Sequence, residues 1–151
     1  MSDPTDGAGA EAFLQEFIDD HGFLSFLDLT VEELEVGHLV MRVPYHRKLT
    51  NKGPGNGNVH GGIASTLIDT AGGLCVHSAL EDPLASSVAT IDLNVSYLRP
   101  ARGDLVGTAD VVRIGGTVGV AEVTVESETP GGEVAPVAVG RGSFRIFRPE
   151  S

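Results

Sequence analysis

GPGNGNVHGGIASTLIDTAGGLCVH, residues 53–77, is a glycine-rich loop running into a helix that opens at His60-Gly61-Gly62 and carries one acid, Asp69. Glycines at a helix start let a substrate approach the free backbone N–H groups there, and the helix dipole adds partial positive charge aimed at an arriving oxygen. A carboxylate two turns into a small, apolar helix is a candidate base or nucleophile. Gly61 and Asp69 are eight positions apart, or roughly 12 Å along the axis at about 1.5 Å per residue. One reacting carbonyl therefore cannot touch both. If the helix is catalytic, the two groups cooperate only where a second copy runs antiparallel to the first, so the expectation is a homo-oligomer with shared sites.

The chain has 151 residues, 21 acids against 10 bases and a formal charge of −11. That length reads as one domain at 10–151 behind a disordered lead at 1–9. Clustered Lys and Arg are missing, which argues against a nucleic-acid partner. No apolar run approaches the length of a membrane span, and the amino terminus, MSDPTDGAGAEAF, is acidic and small. The expectation is a cytoplasmic protein without a membrane partner. Excess acid with only two lysines, Lys48 and Lys52, also suits a surface kept hydrated at high salt. The one cysteine, Cys75, lies on the apolar side of the helix and reads as a packed core thiol.

Elsewhere, Phe13, Leu14, Phe17 and Ile18 predict a short helix over Glu11 to Asp20, with Gly22 as its stop. Leu27 to Glu35 and His38 to Pro44 read as two strands turning at Gly37. The long helix runs from His60 to Leu80 with an apolar stripe of Ile63, Leu67, Ala71 and Leu74, and Gly72-Gly73 within it suggest close packing. Ser87 to Leu98 alternates, with Ala89, Ile91, Leu93, Val95 and Tyr97 facing one way and Thr90, Asp92, Asn94 and Ser96 the other. Three more strands follow near Asp104 to Arg113, Thr117 to Glu128 and Val137 to Phe147, joined at Gly115-Gly116 and Pro130-Gly131-Gly132. The pattern predicts an α+β fold in which an antiparallel sheet, ending in a four-stranded meander, wraps one long helix.

This order of elements, with VHGGIASTLID at Val59 to Asp69 and TIDLNVSYLRPA at Thr90 to Ala101, resembles the hotdog-fold thioesterases, specifically the PaaI-like acyl-CoA thioesterase family. The resemblance covers roughly Leu27 to Phe147. It implies a hotdog fold, hydrolysis of an acyl-CoA, no cofactor or metal, and a site between two subunits of a homodimer or of a homotetramer built as a dimer of dimers. Residue by residue, Asp69 matches the nucleophile or general base, Gly61 the N–H that polarises the thioester carbonyl, and His60 the histidine that shapes that loop. Thr90 matches a hydroxyl that helps hold the attacking water. The family often carries an asparagine six residues before the histidine, where this chain has Pro54. Asn56 and Asn58 are the nearby amides for that carbonyl-binding role, and Asn56 is taken as the candidate. Gly62, Arg99 and Arg102 complete the expected substrate contacts, the arginines serving the CoA phosphates, with Arg145 as a further candidate.

Ordinary readings compete with these. Aspartate on a helix is usually solvated, but Gly62, Ser65, Thr66, Asp69 and Gly73 form a small or polar stripe suited to admit a ligand. His60 alone would be a structural histidine, and Thr90 alone a strand threonine. The other histidines show no metal-ligand spacing. The loop lacks a P-loop ending and the chain lacks a G-x-S-x-G elbow. A hotdog enoyl-CoA hydratase or dehydratase and a non-catalytic acyl-CoA-binding module are the alternative functions. Phe23, Leu24, Phe26 and Leu27 are candidate walls of an acyl pocket suited to aromatic or medium-length groups.

Overall fold

The structure, a computed structural model, describes residues 7–51 and 57–150. Six antiparallel strands form one sheet around a long helix. In chain order these are helix α1 (Gly7–Asp20), α2 (Gly22–Phe26), strands β1 (Thr30–Glu35) and β2 (His38–Val43), helix α3 (Gly61–Ser78), then β3 (Ser87–Tyr97), β4 (Leu105–Ile114), β5 (Val118–Glu128) and β6 (Val134–Phe147). The sheet order is β1-β2-β4-β5-β6-β3. The expected α+β hotdog fold is present, but its last four strands are not a meander. After β3 the chain crosses to pair β4 with β2, and β3 is left at the edge beside β6.

Three local expectations shift at the amino-terminal end. Helix α1 begins at Gly7, inside the stretch read as a disordered lead, and Gly22 opens α2 instead of ending the segment, with the His21 side chain accepting from the Leu24 N–H. Asp28, at φ 54°, turns the chain after α2, so β1 starts at Thr30 and not at Leu27. The β1–β2 turn falls at Gly37 as expected, where φ is 77° and glycine carries no steric penalty.

Helix α3 packs across one face of the sheet, against β2 to β6, burying Ala64, Leu67, Ile68, Ala71, Cys75 and Val76. Ile63 and Leu74 of the expected stripe sit on its flank and are only partly buried. Gly72 and Gly73 do mark close packing, since a Cβ at either would lie 3.1 or 3.2 Å from the Phe144 ring. Gly73 is therefore sealed against β6 and does not belong to an open polar stripe. Burial pushes the Cys75 thiol up to about 12, as befits a core thiol.

The sheet's two edges differ. Along β1, α1 supplies side-chain partners: Gln15 Oε1 accepts from Val31 N at 2.8 Å, Gln15 Nε2 donates to Leu29 O at 3.0 Å, and Glu11 Oε1 accepts from Leu34 N at 3.1 Å. Such contacts blunt an edge that could otherwise template another strand. Strand β3, the other edge, pairs with β6 alone among the described residues and exposes Ile91, Tyr97 and the adjoining Leu98.

A bulge in β3 overturns its unbroken alternation. Thr90 pairs with Phe144 and Asp92 with Ser143, so Ile91 is extra. Before the bulge the even positions Val88 and Thr90 face the helix, opposite buried Ile146 and Phe144; after it, the odd positions Leu93 and Val95 do. Thr90 and Leu93 thus share the helix-facing side that a strict two-residue period would deny them.

Candidate functional site

The first turn of α3 is built around His60. Its Nδ1 accepts from the Gly62 N–H at 2.8 Å, and its carbonyl accepts from the Ile63 N–H at 3.0 Å. Its own N–H donates to Leu49 O at 2.8 Å, which ties the turn to the 3-10 segment Arg47–Leu49. Val59 N donates to Ala101 O at 2.8 Å and ties it to the segment after β3. Among the described residues nothing accepts from the Gly61 N–H, which stays available at the positive end of the helix dipole.

Tyr97, the last residue of β3, covers this turn. A Cβ on Gly61 would lie 3.1 Å from Tyr97 Cε1, so any larger residue there would have to push the ring aside by a few tenths of an ångström. The Tyr97 hydroxyl is hydrogen-bonded to Ser65 Oγ, which also reaches Gly61 O at 3.2 Å. The sequence assigns Tyr97 only to a strand face, and no local signal would mark it, because its contact with α3 spans more than thirty residues.

Asp69 is half-buried two turns further along α3, and its Oδ1 accepts from Thr90 Oγ1 at 2.6 Å. Its Oδ2 has no partner among the described residues. The bulge at Ile91 makes this pair: it turns Thr90 toward α3 while leaving Leu93 and Val95 in the core.

Of the expected site residues, His60, Gly61 and Gly62 meet at one end of α3, and Asp69 and Thr90 meet further along it. The two groups stay separate within the chain, on opposite sides of about two helical turns. Arg99 joins the first group. It lines a small hollow of about 50 Å³ with His60, Gly61, Ala64 and Tyr97, and its guanidinium donates to Pro136 O at 2.8 Å. Arg102 Nε donates to Asn58 Oδ1 at 2.8 Å beside the same turn, so Asn58 is engaged with an arginine. Asn56, like Pro54, lies outside the described residues. Arg145 falls on the far face of the sheet, against the Phe147 ring at 5.4 Å, while its neighbours Phe144 and Ile146 point to the helix. Phe23 and Phe26 are exposed whereas Leu24 and Leu27 are core residues, so those four do not form one wall.

A larger groove of about 530 Å³ opens elsewhere, between Arg42, Asp104, Glu126 and Glu128. Arg42 there is already held by Glu32 at 3.0 Å and Asp104 at 3.2 Å, as in an ordinary solvated ion-pair cluster. No described helix is long and apolar enough to cross a membrane.

Comparison with known proteins bears on this geometry. The family model described as the thioesterase superfamily matches residues 56–134. A protein of Halobacterium salinarum that carries the provisional name of esterase is 63% identical over 145 residues, covering 95% of this chain and 96% of its own length. The medium/long-chain acyl-CoA thioesterase of Escherichia coli is 42% identical over 82 residues, covering 46% of this chain and 53% of that protein. Among solved structures, a thioesterase family protein from Silicibacter pomeroyi superposes with a TM-score of 0.80 at 26% identity, over 90% of this chain and 96% of that one.

Proposed function

Because the chain belongs to the thioesterase superfamily and is a thioester hydrolase, we propose that it hydrolyses an acyl-CoA, releasing the free acid and CoA, at sites shared between two copies. The observation that carries this reading is the Thr90–Asp69 pair, a buttressed carboxylate with one oxygen unengaged, on the same helix as an unaccepted Gly61 N–H but out of its reach. A 50 Å³ hollow is far below the roughly 300–1,000 Å³ of a ligand site, which supports a site completed by a second chain. The open β3 edge offers the means. Two β3 strands pairing antiparallel would bring the Thr90 end of one copy to the Tyr97 end of the other, and Asp69 of one toward Gly61 of the other. Such a dimer is the basic unit, alone or doubled in a tetramer.

In this site the thioester carbonyl oxygen sits on the Gly61 N–H, which stabilises the negative charge that develops on it. An ionised Asp69 accepts only, so Thr90 must donate to it, and the Thr90 oxygen keeps lone pairs for a water hydrogen. Asp69 takes a proton from that water as its oxygen bonds the carbonyl carbon; alternatively Oδ2 attacks first and water cleaves the resulting anhydride. In either route the C–S bond breaks as the first tetrahedral adduct collapses, in the second before water meets the anhydride, and the electron pair leaves on sulfur as CoA thiolate, which needs little acid assistance. Arg99 and Arg102, beside the Gly61 end, are placed to meet CoA phosphates. The acyl group is of aromatic or medium length, the latter supported by the named specificity of the Escherichia coli relative. Thiol release measured over a panel of acyl-CoAs tests the reading. Release with free acid supports it; a hydrated acyl-CoA with no thiol release would show a lyase, and binding without turnover a carrier.

A further inference from the structure

Gly61 lies close under the Tyr97 ring, where an added Cβ would be 3.1 Å from Cε1, and glycine is the residue least able to hold its own backbone in one orientation. The peptides on both sides of Gly61 are therefore held from outside. The His60 carbonyl is fixed by the Ile63 N–H, the Gly62 N–H by His60 Nδ1, and the Gly61 carbonyl by Ser65 Oγ. Ser65 has a single hydroxyl proton. Once it is given to Gly61 O, the hydrogen bond to Tyr97 must be donated by the tyrosine. The result is a chain running Tyr97 O–H to Ser65 O–H to Gly61 C=O, across the peptide to Gly62 N–H and on to His60 Nδ1.

A serine bonding its own i−4 carbonyl is common in helices, and Thr66 does the same to Gly62 O at 2.8 Å with no partner from the sheet. What distinguishes Ser65 is the second hydroxyl arriving from β3. We infer that Ser65 and Tyr97 are positioning residues that lock the Gly61 backbone so that its N–H stays aimed at the substrate carbonyl. The inference rests on the proposal that Gly61 binds that carbonyl. The chain passes through the Gly61–Gly62 peptide and so acts on the Gly61 N–H by fixing the backbone beside it; a donor held in place before the reaction needs no reorganisation when charge develops.

The test uses Tyr97→Phe, which keeps the ring cover and removes only the hydroxyl, together with Ser65→Ala and the double variant. Each single variant is expected to lower kcat about tenfold with KM within about twofold, since a slightly misaimed donor weakens transition-state binding more than ground-state binding. The double variant should lose no more than either single one, because both act through one chain. A second readout is the thioester carbonyl stretch of benzoyl-CoA or octanoyl-CoA, whichever the wild-type protein hydrolyses, bound to Asp69→Asn protein. Binding should lower that frequency, and adding Tyr97→Phe should remove part of the shift. Without any shift in Asp69→Asn alone, Gly61 is not the carbonyl donor and the functional reading itself fails. With the shift present and unchanged by Tyr97→Phe, or with kcat of both single variants within twofold of wild type, the positioning role is overturned while Gly61 keeps its place.

Discussion

Thr90 and Asp69 stand 21 residues apart in the chain and 2.6 Å apart in space, joined because one extra residue in β3, Ile91, rotates the strand between Thr90 and Asp92. The hydrogen bond holds one carboxylate oxygen, and the other has no partner among the described residues. A base or nucleophile needs this combination of fixed orientation and a free lone pair.

Asp69→Asn keeps the shape of the side chain and removes its negative charge. It is expected to lower kcat on the order of 10²-fold or more with little change in KM, because in the proposed reaction the carboxylate acts in the transition state. Thr90→Val should cost about tenfold in kcat, as it frees the carboxylate without abolishing it. Steady-state kinetics on the best acyl-CoA settles both; an Asp69→Asn protein with more than half of wild-type kcat contradicts the assignment.

Sites shared between copies predict complementation. Asp69→Ala protein lacks the proposed base or nucleophile, and in Gly61→Val protein the new side chain displaces the loop or the Tyr97 ring, which lies 3.1 Å from the Cβ position. Each is expected to be inactive alone. After verified subunit exchange in an equal mixture, half the dimers hold one intact site of two, so activity should recover to about a quarter of wild type. No recovery, or an active monomer, would falsify the shared site.

His38 joins three strands: its Nδ1 lies 2.7 Å from Asp110 on β4 and its Nε2 3.4 Å from Glu33 on β1. The hydrogen bond to Asp110, followed by that to Glu33, raises the histidine above its ordinary 6.5 against the opposing effect of burial. The folded state thus binds this proton more tightly than the unfolded chain. The stabilisation is fully present below 6.5 and is lost as pH rises through the folded value. The melting temperatures of wild type and His38→Asn should differ most below the ordinary 6.5 and converge as pH rises past the raised folded value. A gap that widens with pH would reverse the sign of this linkage.

In the proposed function a protein of formal charge −11 would repel a polyanionic CoA ester at long range while Arg99 and Arg102 would attract it locally. The long-range field reaches about 10 Å at 0.1 M salt and about 3 Å at 1 M, so added salt weakens repulsion more than a close arginine–phosphate contact. KM should fall or stay level between low and molar KCl while the melting temperature rises. A KM that climbs steeply as the protein loses stability would rule out salt adaptation of this surface.

Much was legible without coordinates because it is encoded locally. VHGGIASTLID carries a helix start, its capping histidine and one acid, and eight positions on a helix convert to a distance by its constant rise. The separation of Gly61 from Asp69, and hence the expectation of a second copy, follows from that alone. Glycines 72 and 73 likewise announced close packing, which Phe144 supplies. Strand order, edge identity and the phase of β3 are different in kind, since they depend on which segments meet. Nothing within SVATIDLNVSY marks Ile91 as surplus, because a bulge is a mismatch of count between two strands and becomes visible only when β6 lies alongside. The Tyr97–Ser65 contact belongs to the same class. The sequence by itself determined the helix, its chemistry-bearing residues and their spacing, which are properties of one segment's periodicity. Only the tertiary structure decided that Thr90 faces Asp69 and Tyr97 covers Gly61, because those contacts arise from pairing energies between segments distant in the chain.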